Sequence, residues 1–284
     1  MTATNDLTTG GRAGNPWRRF WERGGWWRAL LLAAAYYGLY QLLGLLVGTV
    51  FPEGGALRGE KGSAGDVFIG TGLPILLGGV LLVLFAVSVG WLRELFAPQA
   101  IRGRRWMWIG IVVVLVINVT ALLSVDYGEA GLPFVFSWLL TGLFIGFAEE
   151  VLTRGFVVNL MRKAGQGEIA VALVSSAIFA ALHLGNLFTT DQGLVVTLEQ
   201  VAYTFAFGVI MYLALRVTGS LIAPILIHAS TDPTLFVHGA YPLEGSLLSL
   251  VPALSTYLVL LTGVILLIVL IVSERRRARA AVSV

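Results

Sequence analysis

Between Leu132 and Leu160 the sequence is almost wholly apolar, yet it holds two adjacent carboxylates and an arginine, in Phe147-Ala148-Glu149-Glu150-Val151-Leu152-Thr153-Arg154-Gly155. An apolar run of this length is long enough to cross a bilayer as a helix. Each ionisable group at mid-bilayer costs about 2.5–3.5 kcal/mol on insertion scales. Such groups persist where they face a protein interior or a wet cavity and find partners there. The chain must therefore surround this stretch with other helices, and some of those helices must bring polar residues to meet it.

The rest of the chain supplies them. Of 284 residues, 57% are hydrophobic and 12% charged, against about 25% charged in soluble domains. The composition predicts an all-α polytopic membrane protein, an eight-helix bundle with its polar site inside. The apolar segments are Trp27–Phe51, Val67–Leu92, Trp106–Ser124, Leu132–Leu160, Ile169–Phe188, Leu194–Arg216, Ser220–Val237 and Leu247–Val272. An even number places both termini on one side. That side then collects Arg12, Arg18, Arg19, Arg23 and Arg28, the Arg93–Arg105 group, Arg162, Lys163, Arg216 and the Arg275–Arg279 cluster. The opposite loops hold only Arg58 and Lys61, and otherwise carry acids such as Asp126, Glu129, Asp191 and Glu244. The positive-inside rule makes both termini cytoplasmic.

The expected organisation is a cytoplasmic tail over 1–26, three spans over 27–125, a core over 126–240 and a last span with a basic tail over 241–284. The tail has no cleavable-signal pattern, and Trp17, Trp21, Trp26 and Trp27 among arginines suit an interfacial anchor. Gly54–Gly65 reads as a glycine-rich outer loop. Segments one, two and eight carry little internal polarity and are expected to serve as scaffold and lipid contact. Segment four is longer than a span needs, so it must overrun the surface, tilt, or break near Gly155. The chain has no cysteine, which excludes disulfides, thiol nucleophiles and Cys-ligated metals. There is no nucleotide fingerprint, and no nucleic-acid partner is expected.

Depth decides which polar residues can meet. At about 1.5 Å per helical residue, Glu149 lies roughly 16 Å from the cytoplasmic end of segment four. On the same scale His183 lies roughly 21 Å into segment five, and His228 and Asp232 roughly 12–18 Å into segment seven. Three helices thus bring carboxylates and imidazoles to one level. His228 and Asp232 are four apart and share a helix face, as do Glu150 and Arg154. Adjacent Glu149 and Glu150 point about 100° apart, so Glu150 is expected to neutralise Arg154 or a neighbouring helix while Glu149 faces the histidines. A carboxylate beside an imidazole can deprotonate a water, and a second imidazole can stabilise the oxyanion formed at a peptide carbonyl. Alternatively Glu149, His183, His228 and Asp232 could hold one divalent metal, such as zinc, that activates the water. There is no H-E-x-x-H motif.

At these residues the sequence resembles the CPBP family of intramembrane proteases, relatives of the type II CAAX prenyl endopeptidase. The family pattern E-E-x-x-x-R, F-x-x-x-H, H-x-x-x-N/D reads here as Glu149-Glu150-Val-Leu-Thr-Arg154, Phe179-Ala-Ala-Leu-His183 and His228-Ala-Ser-Thr-Asp232. The resemblance covers about residues 130–240. It implies that Glu149 and His183 activate the catalytic water, that His228 and residue 232 support the oxyanion, and that Glu150 and Arg154 hold the site. It leaves metal-dependent and metal-free mechanisms both open. Asp232 stands where the prenyl proteases have Asn; an ionised Asp cannot donate to an oxyanion, so it must be protonated, orient His228 or bind metal.

The expected activity is endopeptidase cleavage of a membrane-associated peptide or protein. The alternatives are a bacteriocin-immunity or peptide-binding membrane protein, and a proton-coupled transporter built on the same buried acids and histidines. Each polar group also has a purely structural reading. Asn118 fits a helix–helix hydrogen bond, Asn186 a helix end, Glu199 and Gln200 an interface, and Phe179 packing. The excess of arginine over lysine and the short loops point to a bacterial plasma membrane.

Overall fold

The long apolar segments fold as helices, including the two that proline interrupts at Pro74 and Pro233. The computed structural model describes residues 15–52, 62–101 and 103–282. Arg12, Arg58, Lys61 and Arg102, and most of the glycine-rich outer loop, lie outside the described residues. A short helix α1 (Pro16–Glu22) precedes eight long ones among the described residues. These are α2 (Trp26–Val50), α3 (Ala64–Val89), α4 (Arg105–Leu123), α5 (Leu132–Lys163), α6 (Glu168–Thr189), α7 (Leu194–Thr218), α8 (Ile222–Ala240) and α9 (Ser255–Val282). Each coincides with an expected span. The last starts later than expected, because Leu247–Ser249 and Leu250–Ala253 form separate short turns around Pro252.

Seven of these helices are long and apolar enough to cross a membrane by length and composition. Helix α8 is the exception, since His228, Asp232, His238 and several hydroxyl side chains dilute its apolar residues. Its place is secured by packing instead. It packs more extensively against α5 than against any other helix. Gly142 and Gly146 on α5 make the approach possible. A Cβ at Gly142 would lie 2.5 Å from the Ala229 carbonyl oxygen, and one at Gly146 2.5 Å from that of Ile225. Pro233 has no N–H to give the Ala229 carbonyl, so α5 closes over the backbone where α8 is weakest.

Helix α5 does not break near Gly155. It runs to Lys163 but widens to π-helical winding over Val151–Val157, and all seven of these residues are buried. A π segment re-registers every side chain beyond it, and such segments concentrate at functional sites. A second one, Phe68–Gly72 in α3, lies just before Pro74, whose ring disfavours ordinary α-helical bonding to the preceding turn. Helix α6 tightens to a 3₁₀ turn at His183–Gly185 before its last turn, Asn186–Thr189.

One end of the bundle gathers the charges expected on the cytoplasmic side. Arg162 pairs with Glu168 at 2.8 Å and donates to Gln99. Arg216 reaches Glu168 at 2.9 Å and Glu274 at 3.4 Å. Lys163 meets both Glu22 and Glu94 at 2.7 Å. These contacts join α1, the α3–α4 connection, α5, α6, α7 and α9 on a common face. Within the expected tail, α1 is a docked helix: Trp21 is buried, with its ring edge-on to Trp17, Phe20 and Phe85. At the other end, Asp126 N–H donates to Tyr241 and Leu243 N–H to Ser124, tying the α4–α5 and α8–α9 connections together.

Candidate active site

Glu149 and Glu150 close the α-helical part of α5, immediately before its π segment. The tight α5–α8 crossing brings them against His228. The His228 Nδ1 lies 2.8 Å from Glu150 Oε1, and an ionised carboxylate can only accept, so Nδ1–H donates. The other ring nitrogen, Nε2, lies 3.7 Å from Glu149 Oε2 and 3.5 Å from Asp232 Oδ2. One imidazole therefore contacts three carboxyl groups. His228 and Glu150 are buried, whereas the Glu149 and Asp232 side chains are 22% and 29% exposed. The open edge of the cluster is the edge facing Nε2.

Glu150 holds more than the sequence assigned to it. Its Oε1 accepts from Arg154 Nη1 at 3.1 Å as well as from His228, so it serves its own helix and α8 together. Arg154 has no exposed side-chain surface. It also donates to Thr153 Oγ1 and, from Nη2 at 2.8 Å, to the Gly208 carbonyl of α7. Its guanidinium lies 4.6 Å from the centre of the Phe179 ring. A Cβ at Gly208 would come within 3.0 Å of that guanidinium, so glycine admits the arginine here. Thr153 in turn donates to the Glu149 carbonyl, satisfying backbone loosened by the π winding.

His183 stands at the 3₁₀ turn of α6, half-buried. Its Nδ1 is 3.1 Å from the Phe179 carbonyl, an oxygen that can only accept, so Nδ1 carries a proton and Nε2 is the ring nitrogen left free of that bond. Glu149 lies within electrostatic reach of His183, His228 and Asp232. Phe179 stands edge-on to both histidines, with ring centres 5.2 Å from His183 and 5.7 Å from His228. It thus packs between the two histidines as a shared wall.

The other polar residues divide. Asn118 donates to Ser230 and Thr231 of α8, the expected interhelical bond, one residue from Asp232. Asn186 donates to Gln200, which also accepts from Gln192, so Gln200 joins α6, α7 and their connection. Sequence reasoning missed Phe207, whose ring centre is 5.0 Å from that of His228. It also missed Tyr36 and Tyr37 of α2. In an apolar span nothing in the sequence separates an aromatic that faces the site from one that faces lipid.

Donor geometry also bears on a metal. His228 Nδ1 is taken by Glu150, and among the described residues no three His, Asp or Glu side chains form a group able to hold a metal ion. For Glu149, His183, His228 and Asp232 to ligate one ion, they would have to draw closer together.

Fold and cluster together define a polytopic helical membrane protein in which the buried His228 imidazole meets two carboxyl groups of α5 and one of its own helix. Residues 131–234 match the family model described as Rce1-like, type II CAAX prenyl endopeptidase Rce1-like. The match bears out the resemblance carried by the three motifs and points, at the family level, to a CAAX-type intramembrane endopeptidase. No curated protein and no solved structure matched the chain.

Proposed function

We propose that the protein hydrolyses a peptide bond in a membrane-associated peptide or protein, with Glu149 as general base. The observation that carries this reading is His228, anchored through Nδ1 by Glu150 while Nε2 faces Glu149 and Asp232 at the open edge. Glu149 and the bare Nε2 of His183 hold a water between them. As the water oxygen bonds to the peptide carbon, its proton passes to Glu149 and the carbonyl electron pair moves to oxygen. The doubly protonated His228 donates from Nε2 to that oxyanion. When the C–N bond breaks, Glu149 returns its proton to the leaving amine. Asp232, a carboxylate, orients His228 and does not donate. Glu150 and Arg154 fix the imidazole and touch no substrate. Each step uses side chains of this chain alone.

The substrate class that fits is a peptide or membrane-protein segment able to enter a bilayer-depth cavity. The charge distribution along the sequence supports both termini on the cytoplasmic face, and the arginine-rich, short-loop character supports a bacterial plasma membrane. The test is cleavage of a membrane-peptide library by purified wild type, Glu149→Ala and His228→Ala. Cleavage by the wild type alone is expected; cleavage unchanged in both variants would overturn the assignment. Metal analysis and chelation of the same preparation are expected to leave the rate unchanged, and a rate lost to chelator and restored by zinc would replace the metal-free route.

A further inference from the structure

Hydrolysis as described leaves the oxyanion one donor short. His228 Nε2–H is one; Asp232 as a carboxylate supplies none, and Arg154 is occupied by Glu150, Thr153 and Gly208. Oxyanion sites ordinarily aim more than one hydrogen-bond donor at the developing charge. A second donor should be buried, free of other partners and at the depth of Glu149.

Tyr36 meets these conditions. Its side chain is 7% exposed, and its hydroxyl has no hydrogen-bond partner. A buried hydroxyl without a partner carries a desolvation cost of about 1–3 kcal/mol, which invites a ligand-bound role. It lies about ten residues into α2, roughly 15 Å from that helix's start, matching Glu149 in depth. The hydroxyl packs against Gly78 of α3, where a Cβ would come within 2.8 Å of it. The neighbouring Gly79 packs against Phe147, two residues before Glu149. Tyr36 lies within electrostatic reach of Glu149 itself. The adjacent Tyr37 hydroxyl sits against Gly185, two residues after His183. Helix α2 therefore packs against the helices that carry Glu149 and His183.

We propose that the Tyr36 hydroxyl is the second hydrogen-bond donor to the oxyanion. The proposal rests on the hydrolytic reading above. Its step is a hydrogen bond only: the phenol keeps its proton, and no bond to Tyr36 forms or breaks.

The experiment compares wild type, Tyr36→Phe and Glu149→Gln on one cleaved membrane peptide. It also measures binding of the same peptide with a phosphonate in place of the scissile amide. Tyr36→Phe should lower kcat about 10²-fold, with KM and thermal stability near wild type, and should weaken phosphonate binding while leaving binding of the intact peptide unchanged. A Tyr36→Phe enzyme with wild-type kcat, beside an inactive Glu149→Gln, would overturn the Tyr36 role and leave the hydrolytic reading standing. Equal weakening of phosphonate and intact peptide, or a lowered melting temperature, would assign Tyr36 to structure and also overturn the proposal. No cleavage by wild type under any condition would remove the hydrolytic reading, and Tyr36 with it.

Discussion

Glu149 and Glu150 are neighbours in sequence with opposite circumstances. Glu150 is fully buried and bonded to Arg154 and His228, while the Glu149 side chain is partly exposed. Removing one partner of a buried ion pair leaves the other charge uncompensated, at a cost of about 3–5 kcal/mol. Glu150→Ala should therefore destabilise the protein by that amount in a detergent unfolding titration and abolish activity with it. Glu149→Gln should abolish activity while moving the unfolding midpoint little. Equal stability losses in the two variants would contradict this division. That both residues matter was legible in the sequence, because ionisable groups in an apolar run demand partners. That a single Glu150 oxygen accepts from two donors was not, because it depends on the π winding after Glu150, where Gly155 suggested a break and not a widened turn.

At the scale of elements, α5 and α8 make the site by approaching closely, and two glycines permit it. Gly146→Leu would drive a side chain into the Ile225 and Ala229 backbone. It should separate the helices, lower the melting temperature and remove activity, whereas Gly167→Leu, with open space around it, should do neither. In the sequence Gly142, Gly146 and Ala148 suggest a close helix approach, but not which helix makes it. Helix α1 offers a second case. Burial acts to raise the Glu22 carboxyl, but hydrogen bonds from Lys163 and Trp91, with Arg18 beside them, hold it below the usual carboxylate range. A lowered folded-state value means that docking of α1 gains from Glu22 at pH above the unfolded carboxylate range, near 4.3, and loses that gain as pH falls through the lowered value. Protease accessibility of the α1–α2 connection should rise in that acid window. Glu22→Gln should flatten the response, and an unchanged pH profile in that variant would contradict it.

For the whole molecule, seven of the eight long helices were legible because apolar length alone specifies them. Helix α8 is the instructive case: it carries half the site and for that reason is the least apolar of the eight. If α8 crosses the membrane, both termini share one face. If only the seven more apolar helices cross, they do not. Reporter fusions at Arg23 and Arg279 should report the same side, with cytoplasmic signals from both; opposite signals would remove α8 from the membrane and dissolve the site's common depth.

The most direct measurement is kcat/KM on a single cleaved membrane peptide for wild type, Glu149→Gln, His228→Ala and the double variant. Residues that act as one unit give non-additive losses. Each single variant should lose at least about 10²-fold, and the double variant should be no slower than the worse single one. Wild-type rates in either single variant, or losses that multiply in the double, would show that Glu149 and His228 do not share one catalytic pocket.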